Sequence, residues 1–400
     1  MTEGVVSAER TPAKAWRMLA LGVAAQASGS FLISIPVYLI PLLHLQQGVP
    51  LTSAGALAAA PTIGTVLTLV AWGAAADRFG ERGVIALGQV LAATIAFATA
   101  FLVGDLVGAA LLLGLGGAAA ASASAASGRV VIGWFPRRRR GFAMGVRQIS
   151  QPLGVAIAAL VVPPLAAGAG LAAPFVVAGV VLAFLGIACA LGIRNPPRSP
   201  VGLSDGAAAN PYRRDGFLVR IHIVSALLVV PQFTLSTFGM LWLITGLGWS
   251  ETTAGIVVGS AQLVGALGRI AVGDLSDRVG SRVRVLRWVA LAGIATMLAL
   301  ALTGAAQWAI PGAILLVIAT TVSVADNGLA FTSVAEAAGS AWAGRALGIQ
   351  NTGQFLAASA VGPGMGALIT LVGFPLSFAI AALAPVASFP LIPRRDQDRR

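Results

Sequence analysis

The sequence predicts an all-α membrane protein with about twelve transmembrane helices in two pseudo-symmetric six-helix bundles. Hydrophobic residues make up 57% of the 400-residue chain and charged residues only 10%. Soluble domains carry about 25% charged residues, so this chain lacks the polar surface that a water-facing fold needs. A short polar signature at Gly73–Arg82 returns at Gly273–Arg282, a shift of 200 residues or half the chain. A repeat at half-length indicates two homologous halves.

Apolar runs of about 20 residues can cross the hydrocarbon core of a bilayer as helices. Such runs divide evenly around a proline-rich polar connector, which predicts a bundle at 1–193, a linker at 194–216 and a second bundle at 217–400. The expected spans lie roughly at 17–44, 52–75, 84–103, 107–134, 141–167, 171–193, 217–246, 252–273, 285–304, 308–335, 344–371 and 374–392.

The arginines are placed in a pattern that orients the chain. They stand before the first span and after the even-numbered spans, for example at Arg78, Arg137–Arg140, Arg194 and Arg278, whereas the alternate loops carry no Lys or Arg. Basic residues mark the cytoplasmic side, so we expect a multi-pass protein of the cytoplasmic (inner) membrane with both termini in the cytoplasm. The net charge of +12 then reflects topology and predicts no nucleic-acid partner.

The repeat extends beyond the signature and carries a resemblance to a known family. Ser53-Ala54-Gly55 aligns with Thr253-Ala254-Gly255, and residues 141–151 align with 344–354. The chain resembles the major facilitator superfamily, whose loop between helices two and three reads Gly-x-x-x-Asp-Arg-x-Gly-Arg followed by Arg or Lys. The matching residues, with Glu81 as a departure from the usual basic residue, are Gly73, Asp77, Arg78, Gly80 and Arg82, and in the second copy Gly273, Asp277, Arg278, Gly280 and Arg282.

The resemblance implies that these ten residues form a gate on the cytoplasmic side. Asp77 would face the start of helix eleven and Asp277 the start of helix five, and both contacts would break when the protein opens inward. Gly73 and Gly273 would permit a close approach of helices. The alternative is that the signature charges only set topology.

The resemblance also implies a central cavity lined by helices one, two, four, five, seven, eight, ten and eleven. Polar side chains inside a membrane are costly and normally face such an interior. The predicted solute-binding residues are polar residues of these helices, namely Tyr38, Arg147, Gln151, Gln232, Gln262, Arg269, Gln350, Asn351 and Gln354.

Arg269 lies one turn before the second signature, whereas Leu69 occupies the corresponding place before the first. Anion carriers of the superfamily place an arginine at this position, and a guanidinium can hold a carboxylate through two hydrogen bonds. The alternative for Arg269 is a structural ion pair with Asp326 or Asp274. Arg147 has the alternative of reaching the lipid headgroups. Asp326, an acid well inside a predicted helix, is the expected proton-coupling residue.

These features predict a secondary active transporter that moves a small organic anion by alternating access coupled to protons, as a monomer in the lipid bilayer. The sequence contains no Gly-x-x-x-x-Gly-Lys-Ser/Thr run, and we expect neither an enzyme, a cofactor nor a metal site. The Gly362–Gly366 motif leaves a proton-antiport drug exporter as an alternative function. A receptor or scaffold without transport is a further alternative. His44 and His222 are expected at the interface rather than as ligands.

Overall fold

The computed structural model describes residues 13–135, 143, 146–195, 210–213, 216–338 and 342–397, without the side chains of residues 77, 128–133 and 343–345. Within these ranges the chain forms α-helices and two short 3₁₀ turns, and the described residues contain no β-strand. The predicted all-α class is therefore confirmed.

The helices follow the expected order along the chain. Those of the first half are α1 (Ala13–Leu45), α2 (Leu51–Phe79), α3 (Glu81–Phe101), α4 (Leu106–Trp134), α5 (Ser150–Ala169) and α6 (Ala173–Gly192). Those of the second half are α7 (Phe217–Leu247), α8 (Glu251–Val279), α9 (Arg282–Ala305), α10 (Ala309–Ala338), α11 (Ala343–Ala381) and α12 (Leu383–Ser388). In the described part of the chain, eleven helical runs are long and apolar enough to cross a membrane. The predicted start of the fifth span falls mostly outside the described residues.

The last of these runs is twice as long as a single crossing needs, at 46 residues. Gly373 interrupts it with φ 75°, in the left-handed region that favours glycine. The chain doubles back there, because residues on both sides of the break reach the start of α7. Gln350 contacts His222, and the carbonyl of Leu391 accepts a hydrogen bond from Arg220. This run therefore holds the eleventh and twelfth predicted spans.

Small residues allow the helices within each half to pack closely. A Cβ atom on Gly64 would overlap the backbone of Gly114, and one on Gly117 would overlap Pro61, so α2 and α4 are nearly in backbone contact. The same pair in the second half, α8 and α10, packs Gly268 against a threonine methyl group. Lipid is as apolar as a leucine side chain, so such close packing takes the place of the hydrophobic effect in holding the helices together.

Contacts between helix ends define what we term the arginine-rich end of the molecule. The Arg82 backbone N–H donates to Asn195 Oδ1 over 2.9 Å, and Arg287 Nη2 donates to the Pro393 carbonyl over 2.9 Å. These bonds join the starts of α3 and α9 to the segments that follow the last span of each half. The opposite, arginine-poor end contains the turns near Asp105 and Gly373 among others.

Candidate functional site

A single buried apolar cluster joins the two halves near the arginine-poor end. It combines residues of α1, α2 and α5 with residues of α7, α8 and α11, among them Leu57, Val162, Phe238 and Val361. Toward the arginine-rich end, each of the other buried clusters draws its residues from one half only. The halves therefore pack together at one end and have separate cores at the other.

The tightest contact between the halves is made by glycines of α2 and α11. A Cβ atom on Gly55 would overlap the carbonyl oxygen of Gly362, and one on Gly362 would overlap that of Gly55. One turn further, a Cβ atom on Gly366 would lie 2.5 Å from the carbonyl oxygen of Leu51. Only glycine permits backbones to approach this closely.

A pseudo-symmetric contact joins α5 to α8. A Cβ atom on Gly255 would lie 2.6 Å from the carbonyl oxygen of Ala159. Gly255 is the repeat equivalent of Gly55, and Ala159 corresponds to Gly362 when the alignment of 141–151 with 344–354 is extended. The arginine-poor end is therefore closed by two equivalent contacts, α2 with α11 and α8 with α5, and each half supplies one helix to each contact.

The corresponding helices are apart at the arginine-rich end. A Cβ atom on Gly73 or Gly273 would meet none of the described residues within 4 Å, so the close helix approach expected there is not formed between described residues. Leu67 and Val70 of α2 are 76% and 73% exposed, and Leu267 of α8 is 66% exposed. The seam between the halves thus opens toward the arginine-rich end.

Arg269 projects from α8 along this seam. Its Nε donates a hydrogen bond to the Val324 carbonyl of α10 over 3.2 Å, and the side chain is half-buried. Neither alternative ion pair is formed between the described residues. Asp274 pairs with Arg278 at 2.7 Å. Asp326 interacts electrostatically with Arg269, but its carboxylate oxygens accept no side-chain hydrogen bond from the described residues. The Nη groups of Arg269 have no protein partner among the described residues.

Arg147 lies just before α5 and is held against α4. Its Nε donates to Ser127 Oγ over 2.9 Å, and its Nη2 donates to the Ser124 carbonyl over 2.9 Å. Ser127 in turn donates to Gln26 Oε1 of α1 over 3.2 Å. The described contacts of this guanidinium are therefore with neutral groups of its own half.

Counted along their helices, the two arginines lie at similar distances from a contact between α5 and α8. α5 and α8 touch where Ala156 meets Gly259. Arg147 precedes Ala156 by nine residues and Arg269 follows Gly259 by ten. At 1.5 Å per residue both are about 14–15 Å from that contact, toward the arginine-rich end. Each half therefore contributes one cation at the same level.

Three amide side chains of the second half form a connected group, which we term the amide cluster. Gln354 Nε2 donates to Asn327 Oδ1 over 2.7 Å and to Ser225 Oγ over 2.6 Å, while Asn327 Nδ2 donates to Gln232 Oε1 over 3.0 Å. Asn327 follows Val324 by one turn of α10, which places the cluster beside the carbonyl that holds Arg269. Arg269 and the amide cluster therefore contact α10 at positions one turn apart.

Asp326 is turned away from this group. It lines a cavity of about 10 Å³ inside the second half, together with Pro231, Thr296, Met297 and Pro385. The side chain is 1% exposed. A cavity of this size holds about one water molecule at most. Asp326 therefore lies inside the bundle of the second half, beside the seam but not in it.

The remaining predicted residues do not all lie together. Tyr38 is buried in the apolar cluster near the arginine-poor end, and its hydroxyl has no hydrogen-bond partner in the described structure. Gln350 is buried against His222. Gln151 is exposed, and Gln262 and Asn351 are half-buried. Among the predicted residues, Gln232 and Gln354 join the amide cluster, one helical turn from the α10 carbonyl that binds Arg269, whereas Arg147 contacts α4 of the first half.

Comparison with known proteins agrees with this architecture. The model of the Major Facilitator Superfamily matches residues 19–363. The chain belongs to this superfamily. It is 44% identical over 381 residues to uncharacterized MFS-type transporters from two strains of Mycobacterium tuberculosis, H37Rv and CDC 1551, and the match covers 95% of this chain and 85% of each relative.

Solved structures of the superfamily share its fold. A bacterial homolog of the human lysosomal transporter Spinster, in an inward-facing and occupied conformation, superposes with a TM-score of 0.74 and 16% identity, covering 94% of this chain and 93% of that one. A D-xylose–proton symporter gives a TM-score of 0.77 at 16% identity, covering 94% and 98%. The predicted fold and family are thus confirmed, and the chain is a transporter of this superfamily.

The superfamily signatures are held within their own halves. Arg282 pairs with Asp277 and donates to Ser276. In each half, a residue after the last span caps the helix that follows the signature. Asn195 accepts from the Arg82 N–H, and Asp396 accepts from the Val283 N–H over 3.0 Å and from the Ser281 hydroxyl. The side chain of Asp77 and the start of helix five lie outside the described residues, so the predicted gate contacts remain a prediction.

Sequence reasoning missed the caps and the docking of the linker. Tyr212, in a 3₁₀ turn of the linker, stacks on His222 with ring centroids 5.9 Å apart and lies edge-on to Trp342. Its hydroxyl donates to His222 Nε2 over 2.9 Å, because Nδ1 carries the hydrogen that Gln350 Oε1 accepts. Burial raises the pKa of Tyr212 above its ordinary value. No spacing in the sequence joins these residues, which come from separate segments.

Proposed function

We propose that this transporter moves a small organic anion, which binds between Arg147 and Arg269 in the seam of the two halves. The observation that carries the proposal is the placement of one arginine from each half at the same depth. Among the described acidic residues, Asp326 interacts electrostatically with Arg269 but forms no ion pair with it. Asp274 and Asp277 pair with arginines near the helix ends, and Asp326 faces the interior of its bundle. An anion would give the Arg269 Nη groups a hydrogen-bonded carboxylate, which none of the described residues supplies, and Arg147 would add a second positive charge.

The arginine-rich end is assigned to the cytoplasm in this proposal. Positive residues are retained on the cytoplasmic side of the inner membrane, and alternate loops of this chain carry none. The conformation described here is then open toward the cytoplasm and closed toward the outside. Residues 1–193 and 217–400 would rock as two bundles, so that the Gly55–Gly362 and Gly255–Ala159 contacts separate while the signature regions close.

Asp326 is the proposed site of proton coupling. An ionised carboxylate without hydrogen bonds costs several kcal/mol in a low-dielectric interior, so the small, largely apolar cavity suits the neutral acid. Arg269 is bound to the carbonyl of Val324, two residues earlier on α10. An anion that draws Arg269 into the seam would loosen this bond and shift the helix that holds Asp326. Proton release and anion movement would thereby be linked through α10.

Reconstitution tests this proposal directly. Purified protein in proteoliposomes would be screened for proton-driven uptake of small carboxylates and, in parallel, for drug-driven proton movement. We expect carboxylate uptake that Arg269→Gln and Arg147→Gln each reduce about 10-fold or more, since a hydrogen bond to a charged group contributes about 1.5–3 kcal/mol. Arg284→Gln is the matched control, because Arg284 is exposed at the arginine-rich end.

The outcomes separate the candidate functions. Equal anion uptake in wild type and Arg269→Gln would show that Arg269 does not bind the transported anion. Proton movement driven by apolar drugs, without carboxylate uptake, would favour the exporter. The structure gives the Gly362–Gly366 motif a packing role against α2, so this motif no longer favours the exporter specifically.

A further inference from the structure

We infer that the amide cluster recognises a hydroxyl group on the transported anion, so that the substrate class is the hydroxylated carboxylates. This inference rests on the proposed anion transport and names its substrate more closely. It concerns Gln232, Asn327 and Gln354, which the second half gathers beside Arg269.

The hydrogen bonds within the cluster fix the direction of each amide. Gln354 uses its amino group twice, toward Asn327 and Ser225, and Asn327 uses its oxygen as acceptor and its amino group as donor. Gln232 contributes its oxygen. A buried polar network whose bonds are made in this way is rigid, and its unused groups point in defined directions.

Two polar groups of the cluster are left over. The Gln232 amino group is a donor and the Gln354 carbonyl oxygen is an acceptor, and neither has a protein partner among the described residues. Neither is among the fully buried unpartnered atoms, so both keep some accessible surface, which we assign to the space in the seam. A hydroxyl group donates one hydrogen bond and accepts others, and it therefore matches this pair.

The cluster is close enough to Arg269 for both to contact the same small molecule. Arg269 is bound to the Val324 carbonyl, and Asn327 follows Val324 by three residues, or about 4.5 Å along the axis of α10. A carboxylate on Arg269 would place a hydroxyl on one of the next few carbon atoms near the cluster. A solute without that hydroxyl would displace water and leave the donor and the acceptor unpaired, which is the strongest basis for rejecting an analogue.

The experiment compares pairs of acids that differ only in hydroxyl groups. Lactate and propionate, malate and succinate, and gluconate and hexanoate would be tested for binding to purified protein by calorimetry and for uptake into proteoliposomes. We expect the hydroxylated member of at least one pair to be preferred about 10-fold or more. Gln232→Met should reduce this preference to within about threefold while dependence on Arg269 persists.

Two controls keep the result interpretable. Gln46→Met changes an exposed glutamine at the arginine-poor end and should leave the preference intact. Gln354→Met is a second cluster variant, and Gln232 is only half-buried, so at least one of the two is expected to fold.

The failures of the two proposals are distinguishable. Arg269-dependent binding that is equal within each pair, or a hydroxyl preference that survives in Gln232→Met, would overturn this inference and leave anion transport standing. Absence of binding and uptake for all six acids would overturn anion transport itself, and the inference with it.

Discussion

Gly55 and Gly362 approach so closely that a Cβ atom on either would overlap the backbone carbonyl oxygen of the other. They come from opposite halves of the chain, and their repeat equivalents Gly255 and Ala159 form the matching contact. The arginine-poor end is thus closed by backbone packing, with few side-chain atoms between the helices. Contacts of this kind can separate without breaking an ion pair, which suits a gate that opens in every transport cycle.

Gly55→Ala and Gly362→Ala should each shift the protein toward the conformation that is open at the arginine-poor end. The added methyl group has no room in the closed contact, whereas the open state relieves the overlap. Spin labels at Gln47 and Val372, in a Cys189→Ser background, would report a longer distance between the turn before α2 and the end of the first span of α11.

Gly364→Ala is the matched control for this change. It lies two residues away on the same helix, and a Cβ atom there meets nothing within 4 Å. Unchanged label distances in both contact variants would show that the Gly55–Gly362 contact does not set the conformational equilibrium.

Asp326→Asn should uncouple transport from protons. The amide keeps the size of the neutral acid inside the small cavity but cannot release a proton. We expect exchange of solute across the membrane to persist, while accumulation driven by a pH gradient falls at least about 10-fold. Uptake with an imposed pH gradient, compared with counterflow at equal pH, checks this.

Asp105→Asn serves as the control for Asp326, since Asp105 is exposed at the arginine-poor end. If accumulation driven by a pH gradient survives in Asp326→Asn, this residue has no coupling role.

Asn195→Ala and Asp396→Ala should weaken the signature regions at the arginine-rich end. Loss of a helix cap costs about 1 kcal/mol, so we expect melting temperatures lower by roughly 1–3 °C. Because both caps hold the helices that follow the signatures, transport rates should fall further than stability alone explains.

Ser250→Ala provides the comparison, because Ser250 caps α8 at the arginine-poor end through a 3.2 Å bond from the Thr253 N–H. Thermal melts and initial uptake rates would be measured together. Equal rate losses in all three variants would mean that the caps contribute stability only.

Tyr212→Ala should release the linker from the second half. The change removes the stacking on His222 and the hydrogen bond to its Nε2. Limited trypsin digestion would then cut after Arg213 several times faster than in wild type, because local unfolding of the linker becomes easier. Tyr212→Phe keeps the ring and should have an intermediate effect. Identical digestion rates in all three proteins would show that Tyr212 does not hold the linker.

The helices were predictable because their signals are local. A run of apolar residues long enough to cross a bilayer must satisfy its backbone as a helix, whatever its neighbours are. Gly373 separates two spans in the sequence as it does in the structure. Repeat positions such as Gly55 and Gly255 were visible for the same reason, since a duplication keeps its spacing.

The site was predictable only in part. Arg269 was found because it stands beside a signature, and the structure shows Asp274 paired with Arg278 and Asp326 interacting with Arg269 without an ion pair. Asp326 and Asn327 are neighbours in sequence, yet one faces a small cavity inside the bundle and the other joins the amide cluster. Successive residues of a helix point about 100° apart, so their surroundings depend on which helices pack on each side.

The sequence by itself determined the membrane fold, the order of the helices, the duplication and the superfamily. These follow from hydropathy and spacing, which every local segment carries on its own. Only the tertiary structure decided which end of the seam is closed and that Arg147 and Arg269 share a depth. It also decided that Asn195 and Asp396 cap the signature helices. The reason is physical: these are contacts between segments distant in sequence, and side-chain partners are chosen by helix packing, which no local pattern encodes.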